Sequence, residues 1–478
     1  MKKICFGLMA MLVSMTLFAE RVSQEDAALV ANNFMSPASS KGNLKKAIPA
    51  KRMVLKANTL ETTPQYYIYE NANGEGWVIV AANDAVTPIL AYSETGHFCN
   101  SNNMPENLKH WMGLYSDFIK RIEDDDAEAS EEAVAEWNHL RKSPPSTPRG
   151  NVVVAPLIKT TWDQGAPFDL YTPGTGQWGE GSTKAATGCV ATAMAQVMNY
   201  WQWPIHGKGS REYKPLNPNT GKSQSKYGKQ SADFGATTYD WANMLDAYTD
   251  EDGYELPGLT TAQKQAVATL MYHCGVATRM MYGDYAWGGS GAMTVNWCDW
   301  NWPESDGDCA QNAFYNFFRY KKPTGYYRDG DEGEGCYNSW TDAKWTKMIK
   351  AELDKKHPIM YAGGDSNSGG HSFICDGYDD YQDSSNGNYF HFNWGWSGMS
   401  DGWYRLSSLK PGSGGAGGGS YDFTAAQDVI IDIEPDGKPA AFDQVAVREN
   451  KADKLIENGQ LIILRNNEKY SVFGQKIQ

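Results

Sequence analysis

The sequence predicts an α+β protein with two folded domains and a short C-terminal tail. Three observations support this prediction. The 478 residues are more than one ordinary domain needs. Helical stretches and strand-like runs follow one another before residue 123 and again, at greater length, after residue 152. A proline-rich segment at 140–150 lies between the two series.

Composition and the N-terminus predict an exported protein. Aromatic residues make up 13% of the chain and there are 48 glycines, a mixture typical of β-rich secreted proteins with long loops. Residues 1–19 have a short basic region and then an apolar run, so we expect a signal peptide cleaved after Ala19. The protein is therefore expected to be secreted or held at the cell surface.

Charge and hydropathy exclude two classes of partner. The net charge of −14 argues against binding of nucleic acid or of an anionic membrane surface. After the signal peptide, no apolar run reaches the roughly 18 residues that span a bilayer, so no membrane span is expected.

The first domain, residues 20–148, is expected to be a small α+β domain with its own core. Residues 23–34 have a serine N-cap, an acidic first turn and then an apolar face, which predicts a helix. Three strand-like runs divided by turns occupy residues 64–98. A second amphipathic helix is predicted over 108–122, and the acidic run 123–132 reads as an exposed segment.

The segment L-R-K-S-P-P-S-T-P-R-G at 140–150 is predicted to be an exposed linker. Three prolines and two serines within eleven residues disfavour regular backbone hydrogen bonding. Such a segment is a preferred site of proteolytic cleavage.

The second domain, residues 149–434, is predicted to begin with helices and to end with strands. Apolar residues recur at helical spacing from Cys189 to Trp201, and 262–274 is a further helical stretch. From residue 358 the pattern changes to strands, with a glycine-rich loop at 411–420 and a last strand near Ile433.

Cys189 is the candidate nucleophile. It follows Gly188 and opens the apolar helical run, so its thiol lies at a helix N-terminus. Unpaired N–H groups and the positive end of the helix dipole favour a thiolate there. The alternative for any single cysteine is a small buried hydrophobe, and only partner residues decide between the two.

His371 is the candidate general base, because S-G-G-H-S-F-I-C-D-G-Y places it at the start of a strand behind paired glycines. His391, inside the strand Y-F-H-F-N-W, is the runner-up. Asn393 lies 393 − 371 = 22 residues beyond His371, a spacing that fits a strand, a turn and a return strand. It is the candidate acceptor that orients the base. Trp394 could shield the pair from water.

Gln164 is a candidate oxyanion donor, although an isolated glutamine upstream of a cysteine is a weak signal on its own. The eight cysteines contain no C-x-x-C pair, and no histidine–cysteine cluster has zinc-ligand spacing. We therefore expect neither a metal nor another cofactor.

Several motifs in the same order resemble the streptopain family, the secreted cysteine peptidases that include interpain. They are A-A-T-G-C-V-A-T-A-M-A-Q, G-G-H-S-F-I-C-D-G-Y, F-N-W-G-W-S-G-M-S-D-G-W-Y and G-S-G-G-A-G-G-G-S-Y. The resemblance covers about residues 20–434 and is densest from residue 160 onward. It implies a papain-like catalytic domain, with a helical part and an antiparallel β part, preceded by an inhibitory propeptide over residues 20–148.

The resemblance also implies an activity and roles for residues. It implies an endopeptidase made as a zymogen, acting on protein and peptide substrates, inhibited by its own propeptide and preferring a hydrophobic residue two before the scissile bond. By position, Cys189 is the nucleophile, His371 the base and Gln164 the oxyanion donor. The third position belongs to Asn393 or Trp394. Gly370 and Ser290 match loops that line the substrate cleft.

Two alternatives and one ambiguity stay open. An acyltransferase or transglutaminase on the same fold would use the same Cys/His pair but transfer the acyl group to an amine. A non-catalytic, aromatic-rich surface protein would bind glycans or proteins and have no hyper-reactive thiol. The tail, residues 435–478, has two strand-like runs around an Asn-Asn turn, which fit either the end of a type IX sorting signal or an ordinary terminal hairpin.

Overall fold

A computed structural model describes most of the chain. The described residues are 20–35, 53–58, 63–72, 76–99, 106–125, 127–142, 152–174, 184–216, 227–250, 253–283, 290–295, 308–328, 340–365, 369–380, 388–406, 427–437, 453–457, 460–465, 468–471 and 476–477. The predicted signal peptide, residues 143–150 of the predicted linker and the glycine-rich loop 411–420 lie outside them.

Seven α-helices occur among the described residues. They are α1 (Gln24–Met35), α2 (Glu106–Asp124), α3 (Glu131–Lys142), α4 (Cys189–Trp201), α5 (Thr261–Ala277), α6 (Ala310–Phe317) and α7 (Asp342–Asp354). A short 3-10 helix spans Trp241–Asn243. None of the helices in the described part of the chain has both the length and the apolar character needed to cross a membrane.

The described strands fall into three sheets. They are β1 (Met53–Asn58), β2 (Tyr66–Asn71), β3 (Trp77–Ala81), β4 (Ile89–Ser93), β5 (Val152–Val154), β6 (Ser210–Tyr213), β7 (Gln230–Asp233), β8 (Thr324–Tyr327), β9 (Ile359–Asp365), β10 (Gly369–Asp379), β11 (Tyr389–Asn393), β12 (Gly402–Arg405), β13 (Gln427–Ile431), β14 (Asp453–Glu457), β15 (Gln460–Arg465), β16 (Glu468–Ser471) and β17 (Lys476–Ile477).

One large antiparallel sheet joins the N-terminal strands to the strands of the second domain. Its order is β1-β2-β3-β4-β12-β11-β10-β9-β13-β8, with β5 paired to β10. The junction is the pair β4–β12, where Tyr92 lies opposite Trp403 and Ala91 opposite Tyr404. Strands β6 and β7 form a separate two-stranded sheet. Like the large sheet, it belongs to the compact unit that ends at Glu434.

Residues Pro435–Gln478 form a second compact unit. Within it, β14, β15, β16 and β17 make a four-stranded antiparallel sheet. The predicted pair of strands corresponds to β15 and β16, in which Arg465 lies opposite Glu468.

The large sheet separates two cores because successive side chains of a strand point to opposite faces. Tyr361, Phe373 and Val429 belong to a core that also contains the N-terminal domain and α7, which we name the shared core. Met360, Ile374 and Ile430 belong to a core built with α4, α5 and α6, which we name the helical core. The predicted division into a helical part and an antiparallel β part is therefore seen in the second domain.

The N-terminal domain does not have a core of its own, contrary to the expectation from its sequence. Trp111 of α2 is 1% exposed. Its ring lies 6.0 Å from Phe373, 5.2 Å from Phe392 and 6.2 Å from Trp394, measured between centroids. These three partners belong to the second domain, so the apolar face of α2 is buried against β10 and β11 as well as against its own strands.

Helix α3 was not anticipated from the sequence. It covers the end of the acidic run and the first residues of the predicted linker, so residues 140–142 are helical. Ser130 caps it, since its hydroxyl accepts a hydrogen bond from the Ala133 N–H at 3.0 Å. Its buried face contains Trp137 and Leu140, and Glu136 is buried there too.

Candidate active site

Cys189 is the first residue of α4, as predicted, and is 7% exposed. The preceding Gly188 has φ of 89°, a conformation that L side chains rarely adopt. A Cβ at that position would also lie 2.7 Å from the Met280 side chain and 3.0 Å from the Ser290 carbonyl oxygen. Glycine is therefore required here for the chain to turn sharply into the helix that begins at Cys189.

The strand of His371 lies against the cysteine. His371 is the third residue of β10 and is partly exposed, as predicted for a residue at the start of a strand. The next residue, Ser372, donates its backbone N–H to the Cys189 Sγ at 3.4 Å. The structure thus brings together the helix start and the strand start on which the two candidate catalytic groups lie.

The electrostatics of Cys189 differ from the expectation for a helix N-terminus. Burial raises the pKa of the Cys189 thiol, and the N–H groups of Ser372, Val190 and Cys189 itself lower it by less. The hydrogen bonds therefore act in the expected direction, but loss of hydration is the larger effect in this structure. A thiol so placed is less ionised at neutral pH than an exposed cysteine.

Gln164 lies in the segment that runs beside the residues leading to Cys189. It is 6% exposed, and its carbonyl oxygen accepts a hydrogen bond from the Thr187 N–H at 3.0 Å. Thr187 precedes Cys189 by two residues, so this bond fixes the Gln164 backbone close to the start of α4. The placement fits a side-chain amide that serves as an oxyanion donor.

Asp163, next to Gln164, has a partly buried carboxyl group that accepts several hydrogen bonds. Its Oδ1 accepts the Gln164 N–H at 2.5 Å, and its Oδ2 accepts the Ser397 hydroxyl at 2.7 Å. Burial raises the pKa of Asp163, while the hydrogen bonds from Ser397 and from the Gln164 and Gly165 N–H groups lower it. Asp163 was not among the site residues predicted from the sequence.

Asn393 ends β11 and is 3% exposed. As predicted, β10 and β11 are antiparallel neighbours, but Asn393 lies opposite Ile374 and not opposite His371. Its amide donates to the Thr160 carbonyl at 2.8 Å and accepts from the Gln196 side chain and the Gly395 N–H, both at 3.1 Å. In this structure the Asn393 amide therefore joins β11 to α4, and orientation of His371 stays a prediction.

Trp394 is fully buried beneath the same strands. Its ring lies 4.6 Å from that of Phe373, between centroids, and its indole N–H donates to the Ser400 carbonyl at 3.2 Å. Its backbone N–H donates to the Asp401 carboxylate at 2.8 Å. These contacts agree with a role in excluding water, and a catalytic role for Trp394 stays a prediction.

The two candidate cleft residues lie beside the candidate catalytic residues. Ser290 donates its hydroxyl to the Ala186 carbonyl at 2.7 Å, three residues before Cys189. Gly370 directly precedes His371 and lies opposite Gly364 in the β9–β10 pair. Their predicted roles in substrate binding are not tested by these contacts.

His391, the runner-up base, has a carboxylate partner. Its Nδ1 lies 2.6 Å from the Asp376 Oδ1, and the other oxygen of Asp376 accepts the Ile158 N–H at 2.8 Å. Burial lowers the pKa of His391, but the adjacent Asp376 carboxylate raises it by more, so the net pKa is above its usual value. This pair therefore links β10 to β11, with the Asp376 carboxyl group buried and the His391 ring partly exposed.

Three polar residues of the site were not predicted from the sequence, and only two of them had a signal there. Asp163 could have been found from its place between Trp162 and Gln164. Gln196 could have been found because it interrupts an apolar helical face. Ser397 gave no signal, because the placement of its hydroxyl depends on a left-handed backbone conformation, with φ of 55°. Among the described residues, no group of His, Cys, Asp and Glu is arranged to hold a metal ion.

Comparisons with known proteins agree with this geometry. Residues 162–404 match the model of the peptidase C10 family, and residues 19–119 match that of the Spi protease inhibitor. Streptopain of Streptococcus pyogenes serotype M1 is 29% identical over 386 residues, which are 77% of this chain and 80% of streptopain. The thiol protease/hemagglutinin PrtT of Porphyromonas gingivalis is 32% identical over 449 residues, which are 91% of this chain.

The chain spans only 44% of the length of PrtT. A solved structure of a mutant fragment of Prevotella intermedia prointerpain A is similar over 81% of this chain and 100% of the fragment. The TM-score is 0.56 at 30% sequence identity.

Proposed function

Because this chain belongs to the peptidase C10 family, whose model matches half of it, we propose that it is the zymogen of an exported cysteine endopeptidase that hydrolyses peptide bonds through an acyl-enzyme. The family, the papain-like α+β architecture and the class of enzyme predicted from the sequence are confirmed by the matches. The observation that carries the specific proposal is the 3.4 Å hydrogen bond to the Cys189 Sγ from the backbone N–H of Ser372, the residue that follows His371 in β10.

The chemistry starts at Cys189. His371 accepts the thiol proton, and the thiolate attacks the carbonyl carbon of the scissile peptide bond. The negative charge that develops on the carbonyl oxygen is stabilised by the Gln164 side-chain amide and the Cys189 backbone N–H. His371 then gives its proton to the leaving amine, and the Cys189 thioester remains.

Water completes the cycle. His371 removes a proton from a water molecule that attacks the thioester, and the same oxyanion donors stabilise the second tetrahedral intermediate. Collapse of this intermediate expels the Cys189 thiolate and releases the carboxylic acid product. An amine in place of water would make the chain an acyltransferase, so the acceptor must be measured directly.

The N-terminal domain is proposed to keep the enzyme latent. Its match to the Spi protease inhibitor shows an inhibitor-type domain in the same chain. In this structure the domain continues the catalytic sheet through β4 and β12. The Tyr115 hydroxyl of α2 also donates to the Arg405 carbonyl of β12 at 3.1 Å. We propose that cleavage between about residues 143 and 154 separates propeptide from mature enzyme.

Export and the tail complete the proposal. Residues 1–19 are proposed to direct secretion, and residues 435–478 to form either a sorting signal or a terminal hairpin unit. The substrates are proteins and peptides, with a preference for a hydrophobic residue two before the scissile bond.

The test compares purified wild-type chain with Cys189→Ala by intact mass and by a casein digest. Wild type is expected to shorten to a new N-terminus between residues 143 and 154 and to gain activity, whereas Cys189→Ala stays full length until active enzyme is added. Mass analysis of the casein products with and without an added amine separates hydrolysis from acyl transfer. A full-length wild-type chain that is already maximally active would refute the proposed latency.

A further inference from the structure

Asp163 carries a partly buried carboxyl group beside the oxyanion donor, and the proposed reaction does not use it. It receives donors on both oxygens: the Gln164 N–H on Oδ1 at 2.5 Å and the Ser397 hydroxyl on Oδ2 at 2.7 Å. The Gly165 N–H also interacts with it. A carboxyl group that has lost part of its hydration is usually paired or hydrogen-bonded in a folded protein. The number of donors here indicates that the carboxyl group of Asp163 has a role that an apolar side chain could not fill.

The carboxyl group joins three segments of the site. Through Ser397 it reaches the loop that follows Asn393 and Trp394, and the Ser397 hydroxyl also lies 2.8 Å from that of Thr249. Through Gln164 it reaches the approach to the nucleophile, because the Gln164 carbonyl accepts the Thr187 N–H at 3.0 Å. Gln164 is therefore held on both sides of its α-carbon, by Asp163 at its N–H and by Thr187 at its carbonyl.

A fixed backbone matters for an oxyanion donor. The glutamine side chain has three rotatable bonds, and its N–H must meet an oxygen that exists only in the transition state. Catalytic groups have to be held within about 0.5 Å of their productive position. Hydrogen bonds to a carboxylate are roughly twice as strong as those between neutral groups, so Asp163 is well suited to hold the Gln164 backbone.

We infer that Asp163 is the positioning residue of the oxyanion donor: it holds the Gln164 backbone, together with Ser397, so that the amide side chain reaches the developing charge. The inference rests on the proposed function of this site. It assigns Asp163 an effect on turnover that is transmitted entirely through Gln164.

The experiment uses Asp163→Asn in the full chain, matured by a trace of wild-type enzyme. The Cys189→Ala chain treated in the same way serves as the blank. Asparagine keeps the shape of aspartate, but it has only one acceptor oxygen. Its NH2 group would face either the Gln164 N–H or the Ser397 hydroxyl, both of which donate to Asp163. We expect kcat to fall by about 10- to 100-fold, with KM within about twofold, because the lost interaction exists only in the transition state.

Two readouts separate positioning from loss of structure. Alkylation of Cys189 by iodoacetamide forms no oxyanion, so its rate is expected to stay within about twofold in Asp163→Asn. In a Gln164→Ala background, Asp163→Asn is expected to lower kcat by less than about threefold further, because residues that act as a unit are not additive.

Three results with Asp163→Asn would overturn the inference. They are an unchanged kcat in Asp163→Asn, an alkylation rate that falls as much as kcat, and a full additional loss in the Gln164→Ala background. An unchanged kcat in Gln164→Ala would also overturn it. Failure of the proposed function is recognised separately, since Cys189→Ala would then keep its activity.

Two further variants serve as controls. Glu352→Gln makes the same carboxylate-to-amide change at a 1% exposed side chain whose Oε1 accepts the Asp432 N–H at 2.8 Å, and kcat is expected to stay within about twofold. If Asp163→Asn does not fold, Ser397→Ala removes one partner of the carboxylate. It is then expected to lower kcat by about 3- to 10-fold with unchanged alkylation, and an unchanged kcat would refute the inference.

Discussion

The buried ion pair between Glu136 and Arg405 allows the attachment of the propeptide to be tested. Glu136 belongs to α3 of the N-terminal domain and Arg405 to β12 of the second domain. A guanidinium nitrogen lies 3.2 and 3.3 Å from the two carboxylate oxygens. The Arg405 side chain is 2% exposed and the Glu136 side chain is 3% exposed. Arg405 also donates its Nε–H to the Ile89 carbonyl of β4 at 3.0 Å.

Glu136→Ala is expected to weaken the attachment strongly. It leaves a buried guanidinium without its compensating charge, and removal of one partner of a buried pair costs about 3–5 kcal/mol. Since 1.4 kcal/mol is a factor of ten, local opening should become about 10²- to 4 × 10³-fold more frequent. In the absence of Glu136, the Ile89 carbonyl and the Tyr389 ring, 4.6 Å from the guanidinium carbon, still contact Arg405.

The assay is native-state amide hydrogen exchange in the full chain. Cys189→Ala is used as the parent so that no self-cleavage occurs, and the amides of β4 report on its separation from β12. Their exchange should accelerate by the predicted factor. The matched control is Glu131→Ala on the exposed face of the same helix, which should change exchange by less than about threefold. Exchange in Glu136→Ala within threefold of the parent would refute the reasoning.

Two further predictions concern titratable groups. His371→Ala should lower kcat/KM by several orders of magnitude, whereas His391→Ala should lower it far less, since His391 is bound to Asp376. If His391→Ala proves the more damaging change in two folded variants, the roles are reversed. Burial raises the pKa of Asp428 to about 7, from 3.8, and its Oδ1 is buried without a hydrogen-bond partner among the described residues. Between these values the folded state holds a proton that the unfolded state has lost, so the free energy of unfolding falls as pH rises. Asp428→Asn in the Cys189→Ala chain should therefore raise Tm more at pH 8 than at pH 5 in calorimetry, and an equal gain at both would contradict this.

Local patterns were sufficient to locate the ends of the elements that carry the chemistry. The apolar spacing after Cys189 predicted α4, and the paired glycines before His371 predicted the start of β10. Both features depend on residues close in sequence. The charged run before residue 140 concealed α3, because its apolar face is narrow and is recognised only once its partner surface is known.

Features that depend on distant residues could not be predicted. The hydrogen bonds of the Asn393 amide involve Thr160 and Gln196, which are 233 and 197 residues away. The pKa of Cys189 depends on two opposing effects, burial and N–H donors, and only coordinates decide which is larger. The shared core was missed for the same reason, since a helix of amphipathic sequence does not indicate which sheet it covers.

The continuous sheet across β4 and β12 has a consequence for activation. Cutting the chain after α3 breaks one covalent bond, but it leaves the strand pairing, the Glu136–Arg405 pair and the rings around Trp111 in place. The nicked protein should therefore persist as a tight two-chain complex. Dissociation exposes Phe373 and Phe392 to water unless the mature enzyme repacks them. Digestion of the detached fragment, which removes it from the rebinding equilibrium, would then set the pace at which full activity appears.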